Sequence, residues 1–166
     1  MSAKAGLQVT IKAMTRCGCA STGKWAERRP GTMADTATAK VTVQQFWAAV
    51  QANDWRAAAE LLHDDYVLEW PQSGEIVRGR ENFAAINANY PAAGRWRFNL
   101  HRIVCEGDQV VTDVSVTDGA IAGQAITFST VRDGRIVHQM EFWPDPFEPA
   151  PWRAQWVERT NDLSGL

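Results

Sequence analysis

Residues 133–146 read Asp133-Gly134-Arg135-Ile136-Val137-His138-Gln139-Met140-Glu141-Phe142-Trp143-Pro144-Asp145-Pro146. Asp-Gly between alternating runs is a hairpin signal, because tight turns need residues that accept φ > 0. The prolines at the other end cannot donate to a strand ladder and stop the run. The stretch therefore predicts a final strand over 135–143. Within it stands Glu141, a carboxylate in otherwise apolar and aromatic company. Such a group either faces water or occupies a pocket where partial desolvation raises its pKa and makes it a usable base.

Outward from this strand, Glu106-Gly107-Asp108 and Asp118-Gly119 repeat the turn signal, and further strands are expected near 95–105, 109–117 and 121–132. Upstream the period is helical. Val43, Phe46, Trp47 and Val50 fall at i, i+3, i+4 and i+7 of a helix over 41–53. A second helix follows, capped by Asn53 or Asp54, favoured by Ala57, Ala58 and Ala59, with Leu61 and Leu62 as its buried end. Tyr66 to Trp70 is a short strand ended by Pro71, and Gln72-Ser73-Gly74 is a loop. A third helix spans Arg80 to Asn89, with Phe83, Ile86, Asn87 and Tyr90 on one stripe and Pro91 closing it. Helices first and a meander of antiparallel strands afterwards define an α+β class with the helices on one sheet face. The organisation expected is an N-terminal extension over 1–32, a domain over 33–146, and an extended tail over 147–166 with a short helix around Trp152 and Trp156.

With 166 residues, 45% hydrophobic and 22% charged, the chain suits a single domain with its own core. Eight tryptophans favour an aromatic cavity for an apolar ligand. Residues 1–32 carry six basic side chains against one acid, whereas the remainder is acidic, with eleven basic and eighteen acidic groups. An acidic body argues against a nucleic-acid partner. No apolar run approaches the ~18 residues of a membrane span. Three cysteines, two of them in Cys17-Gly18-Cys19, give an odd count without framework spacing, which points to a reducing, cytoplasmic setting. Glu27-Arg28-Arg29 can be encoded by a purine-rich ribosome-binding sequence three codons upstream of Met33, so Met33 is the expected start of the folded chain.

Arg78-Gly79-Arg80-Glu81 opening the third helix, then Asp133-Gly134-Arg135-Ile136-Val137 and an aromatic pair before Asp145, resemble the nuclear transport factor 2-like superfamily, closest to its SnoaL-like polyketide cyclase branch. The resemblance covers roughly residues 38–146. It implies an α+β cone, a curved antiparallel sheet wrapped around three N-terminal helices, enclosing a hydrophobic pocket and usually forming a homodimer. Limonene epoxide hydrolases of this fold carry a carboxylate in the last strand just before an aromatic pair, and Glu141 before Phe142-Trp143 stands in the matching place. Steroid isomerases of the fold place a tryptophan where Trp143 stands. Carried over, Val137, Gln139, Glu141 and Trp143 face the cavity, while Ile136, Met140 and Phe142 face a second subunit. Asp113 and Ser115 fall where the hydrolases have arginine and aspartate, a departure that argues against epoxide hydrolysis. Period alone gives the opposite parity, burying Ile136, Met140 and Phe142 and leaving Glu141 in water.

The candidate catalytic residues are Glu141 as base, Asp113 as a coupled second carboxylate, and His101, whose strand is open to a register shift by a bulge. Ser115 joins them as a donor. Trp47, Trp70, Phe83, Tyr90, Gln139 and Trp143 are the candidate pocket wall, with Glu69 ambiguous. His63 is expected at an exposed helix terminus and His138 at the subunit interface. No histidine pair has metal-ligand spacing, and no phosphate-cradling loop or dinucleotide fingerprint is present, so neither metal nor cofactor is expected. The function expected is proton abstraction beside a carbonyl in a hydrophobic small molecule, of cyclase or isomerase type. The alternatives are a non-catalytic ligand-binding or dimerisation member, and a hydrolase in which Glu141 activates water.

Overall fold

A computed structural model of the chain describes residues 33–159. The expectations for residues 1–32, including Cys17 and Cys19, lie outside the described residues. The elements run α1 (Met33–Ala52), α2 (Trp55–Glu60), β1 (Leu62–Trp70), β2 (Glu75–Arg78), α3 (Arg80–Asn89), β3 (Arg97–Glu106), β4 (Gln109–Thr117), β5 (Ala122–Arg132), β6 (Arg135–Phe142) and a 3-10 turn (Pro151–Trp156). One six-stranded sheet has the order β2-β1-β6-β5-β4-β3. It curves, unclosed, about the three helices, in the α+β cone arrangement. The sheet is mixed rather than wholly antiparallel, because β1 lies parallel to β6. That pairing also corrects the reading of Leu62, which opens β1 instead of ending α2.

Helix α1 is longer than its apolar stripe. Val43, Phe46, Trp47 and Val50 are buried as their spacing requires, each contributing about 1.5–3 kcal/mol of burial. The preceding turns are small and polar, and their contacts are with hairpin backbone. The Thr36 hydroxyl accepts from the Gly107 N–H of the β3–β4 turn (3.0 Å), and Thr42 Oγ1 donates to the Gly134 carbonyl of the β5–β6 turn (3.2 Å). Hydrophobic periodicity does not register such contacts. Trp47 then crosses to the sheet, its indole N–H donating to Thr112 Oγ1 at 3.2 Å.

Asp54 caps α2 by accepting from the Ala57 N–H, while Asn53 turns outward with φ 58° and donates to the Trp96 carbonyl at 2.9 Å. Gly79, at φ 80°, makes the left-handed step from β2 into α3 that a side chain would strain. The segment before β3 is clamped by Asp118, which accepts from the N–H groups of Ala93, Ala120 and Ile121. These backbone donors hold its carboxyl below the ordinary range.

The decisive irregularity is in β6. Regular counting from the Asp133-Gly134 turn pairs Arg132 with Arg135 and Val131 with Ile136, but the next pair is Thr130 with His138. Val137 is thus the extra residue of a β-bulge, and side-chain parity shifts there by one. Ile136, before the bulge, is fully buried in the core, and Gln139, beyond it, is also buried. Neither simple alternation describes the strand. The assignment of Ile136 to an outer face, and of Val137 to the same alternating set as Gln139, is corrected by this one inserted residue.

Gln139 closes a polar seam in the core. The Tyr66 hydroxyl, 1% exposed, donates to Gln139 Oε1 at 2.6 Å, and Gln139 Nε2 donates to Ser129 Oγ at 3.1 Å. Tyr66→Phe leaves the buried amide oxygen without its donor, so unfolding free energy in a urea titration is expected to fall by about 1–3 kcal/mol with an unchanged m-value.

Candidate active site

The concave sheet face and the helices enclose a cavity of about 690 Å³. Its wall includes nine aromatic side chains: Trp47, Trp70, Phe83, Tyr90 and Trp143 of the sequence reading, together with Phe46, Trp55, Trp96 and Phe98. Gln139 and Glu141 contribute polar groups to this surface, as do Asn87 of α3 and, around the β1–β2 loop and beyond β6, Gln72, Ser73, Glu75 and Asp145.

Glu141 reaches this cavity because the bulge at Val137 places it opposite Thr127 on β5. Two indoles meet its Oε1: Trp70 Nε1 donates at 3.0 Å and Trp143 Nε1 at 2.9 Å. The Thr127 hydroxyl, from a fully buried residue, donates to Oε2 at 3.0 Å. All three donors are neutral. Among the described residues no basic side chain pairs with this carboxylate. Burial therefore pushes its carboxyl above the ordinary glutamate range, although the three hydrogen bonds pull the other way by favouring the charged form. Tyr66 is raised further above its usual range, first by its own burial and then by the charge of Glu141.

Trp143 is held from outside the strand. Gln72, in the loop between β1 and β2, donates its amide to the Trp143 carbonyl at 2.7 Å and accepts from the Trp143 N–H. The side chain thus imitates a strand neighbour just where Pro144 ends the ladder. It fixes the peptide that carries the indole toward Glu141.

Asp113, Ser115 and His101 do not share this space. Asp113 pairs with Ile126, which pairs with Phe142, and directly paired residues lie on one face. That face is the convex one. There Asp113 accepts from Gln124 Nε2 at 2.6 Å and lies 3.8 Å from Arg102. His101 is at a bulge between Leu100 and Arg102, and its Nε2 lies 2.9 Å from Ser115 Oγ. The expected pair of repelling carboxylates is therefore corrected: Asp113 and Glu141 are separated by the sheet itself. His138 and Glu69 also lie outside, 3.2 Å from each other. His63 belongs to β1 rather than to a helix terminus and packs beside Arg132 and Asp65.

Thr127, Tyr66 and Gln72 were not legible as site residues. Counting back from the Asp133-Gly134 turn selects Ile126 as the partner of Glu141; only the bulge brings Thr127 there. Among the described residues, no group of three His, Cys, Asp or Glu side chains is placed to hold a metal ion.

A family model described as the SnoaL-like domain matches residues 43–139, more than half of the chain. A solved structure from Kribbella flavida DSM 17836, provisionally assigned as a ketosteroid isomerase, is 29% identical and superposes with a TM-score of 0.73, covering 78% of this chain and 94% of its own. A nuclear transport factor 2-like protein of unknown function from Burkholderia xenovorans LB400 is 31% identical, with a TM-score of 0.63 over 75% of this chain and 97% of that one. An epoxide hydrolase of limonene-hydrolase type from M. tuberculosis is 27% identical, with a TM-score of 0.55, covering 66% of this chain and 85% of its own. Among curated proteins none matches. The chain, with its bulged last strand and aromatic cone, belongs to the SnoaL-like domain family.

Proposed function

We propose that this protein is an enzyme that abstracts a proton beside a carbonyl in a hydrophobic small molecule, with Glu141 as the base. The observation that carries the proposal is a carboxylate facing an aromatic cavity, held by three neutral donors and raised in pKa by burial. A base whose pKa approaches the working pH is stronger while remaining ionised. Its carboxylate takes the α-proton, and the C–H electron pair moves into an enolate whose charge rests on the former carbonyl oxygen. Return of the proton to another carbon gives an isomer; attack of the enolate carbon on a second carbonyl closes a ring. Neutral donors are at hand for the oxyanion. Gln139 retains one amide N–H beyond that given to Ser129, and Asn87 of the cavity wall retains one beyond that given to the Phe83 carbonyl. Asp113, Ser115 and His101, on the other face, take no part in this mechanism.

The chemistry is tested by incubating the protein in D2O with a panel of hydrophobic cyclic ketones and following α-proton exchange by NMR. Wild type is expected to accelerate exchange of at least one member, with kcat/KM rising with pH through the raised pKa of Glu141. Glu141→Gln keeps an oxygen for the two indoles and lets the Thr127 hydroxyl accept instead, so it is expected to fold yet lose ~10²-fold or more of the rate. Equal exchange in the variant sinks the assignment.

Stability gives an independent check. Since the folded pKa of Glu141 is raised, the native state binds more protons than the unfolded chain between ~4.3 and the folded value, and its stability falls as pH rises through that window. Glu141→Gln abolishes this loss. In denaturant titrations the variant is expected to gain on wild type between pH 4 and neutrality; a pH-independent difference removes the physical basis for a perturbed carboxyl.

The same reading assigns the convex face to a homodimer. Met140, Phe128 and Phe142 lie on that face together with Val104 and Ile76, the two phenyl rings packing edge-on at 6.2 Å between centroids. Phe128 is 46% exposed and Val104 66%, and exposed apolar side chains gathered on one sheet face favour burial against a second copy. Met140→Lys is expected to shift micromolar protein from dimer to monomer in sedimentation; a monomeric wild type overturns the assignment.

A further inference from the structure

The charges of the cavity are of one sign. Glu75, Glu141 and Asp145 line it, and among the described residues no Lys, Arg or His does. Their placement is ordered. Glu75 is paired across the β1–β2 ladder with Trp70, so the two side chains share a face. Asp145 lies two residues beyond Trp143. Trp70 and Trp143 are the indoles that converge on Glu141. The two outer carboxylates, both exposed, thus flank the pair of tryptophans at the open end, with Glu141 further in. Glu75 accepts the Ser73 hydroxyl on Oε2, which leaves most of its lone pairs available.

An anionic ligand entering this mouth meets two like charges and no counter-ion, and a neutral one leaves both acids unused. A cation gains from the carboxylates and from the electron-rich indoles together. We infer that the ligand is a hydrophobic molecule bearing a protonated amine, its ammonium held at the mouth by Glu75 and Asp145 while its carbonyl-bearing body lies inward against Glu141. The inference rests on the cavity being the substrate site. It places the ammonium away from Glu141, because a cation against the base would favour the ionised carboxylate and weaken it.

The test uses the full chain and three probes of one shape: 2-cyclohexylethylamine, 2-cyclohexylethanol and cyclohexylacetate, titrated by tryptophan fluorescence. The amine is expected to bind about tenfold more tightly than the alcohol, as one cation–π contact plus exposed ion pairs allows, and the acid most weakly. The preference should shrink as salt is raised. The double variant Glu75→Gln, Asp145→Asn is expected to bring the amine to the level of the alcohol without altering alcohol binding. Equal binding of amine and alcohol by wild type, no binding of any probe, or a preference that survives the double variant overturns the inference. If Glu141→Gln alone abolishes the preference, Glu141 is itself the counter-ion, and both the mouth assignment and its role as base fall. An intact preference without α-proton exchange supports the inference and rejects only the catalytic reading.

Discussion

A carboxylate among aromatic side chains is tolerated only if its charge is met by donors or its proton is retained, and the surroundings of Glu141 answer both demands at once. Three neutral donors come from three separate elements: Trp70 from β1, Thr127 from β5, and Trp143 from the chain just beyond β6. Each is placed by a different contact. The parallel docking of β1 on β6 brings Trp70 within reach, the β5–β6 register brings Thr127, and the Gln72 amide holds the Trp143 peptide where the ladder ends. Three elements therefore converge on the carboxylate of Glu141. Its neutral partners lower its basicity less than burial raises it, whereas an arginine partner would hold it ionised and weaken it as a base.

That arrangement depends on one inserted residue. Without a bulge at Val137, Ile136 and Glu141 would point to opposite faces, and burying the first would expose the second. With it, Ile136 enters the core, Gln139 ties to Tyr66 and Ser129, and Glu141 enters the cavity, while Met140 and Phe142 remain outside. The bulge also adds local twist of the kind a curved sheet needs. Curvature and site geometry thus share a cause.

This explains which parts of the sequence could be read. Turn chemistry at Asp133-Gly134 and the i, i+3, i+4, i+7 stripe of α1 are local signals, and both elements lie where those signals put them. The abundance of tryptophan pointed to an aromatic cavity, and Trp47, Trp70, Phe83, Tyr90 and Trp143 do line it, together with Phe46, Trp55, Trp96 and Phe98, which the sequence pattern did not single out as wall residues. What failed was parity carried across several residues without sight of bulges. Asp113 and Ser115 were set by analogy of position on a strand whose alternation admits two faces, and the register with Ile126 and Gln124 chose the convex one. The parallel β1–β6 contact was invisible for a related reason: β1 begins at the end of α2 without an intervening breaker, and its partner is more than seventy residues away.

The separation of Asp113 from Glu141 also constrains the chemistry. Two adjacent carboxylates would divide the roles of acid and base by mutual repulsion, but here the β-sheet lies between Asp113 and Glu141, and of the two only Glu141 lines the cavity. If Glu141 is the base proposed above, it both removes the proton and returns it. The groups near Glu141 fit that demand: they are amides, indoles and hydroxyls, which orient and donate without titrating near neutrality. Tyr66, the one phenol close enough to feel the charge of Glu141, is pushed further from ionisation by burial and by that charge. It stays a donor to Gln139, which leaves Glu141 as the titrating group that the proposed mechanism calls on.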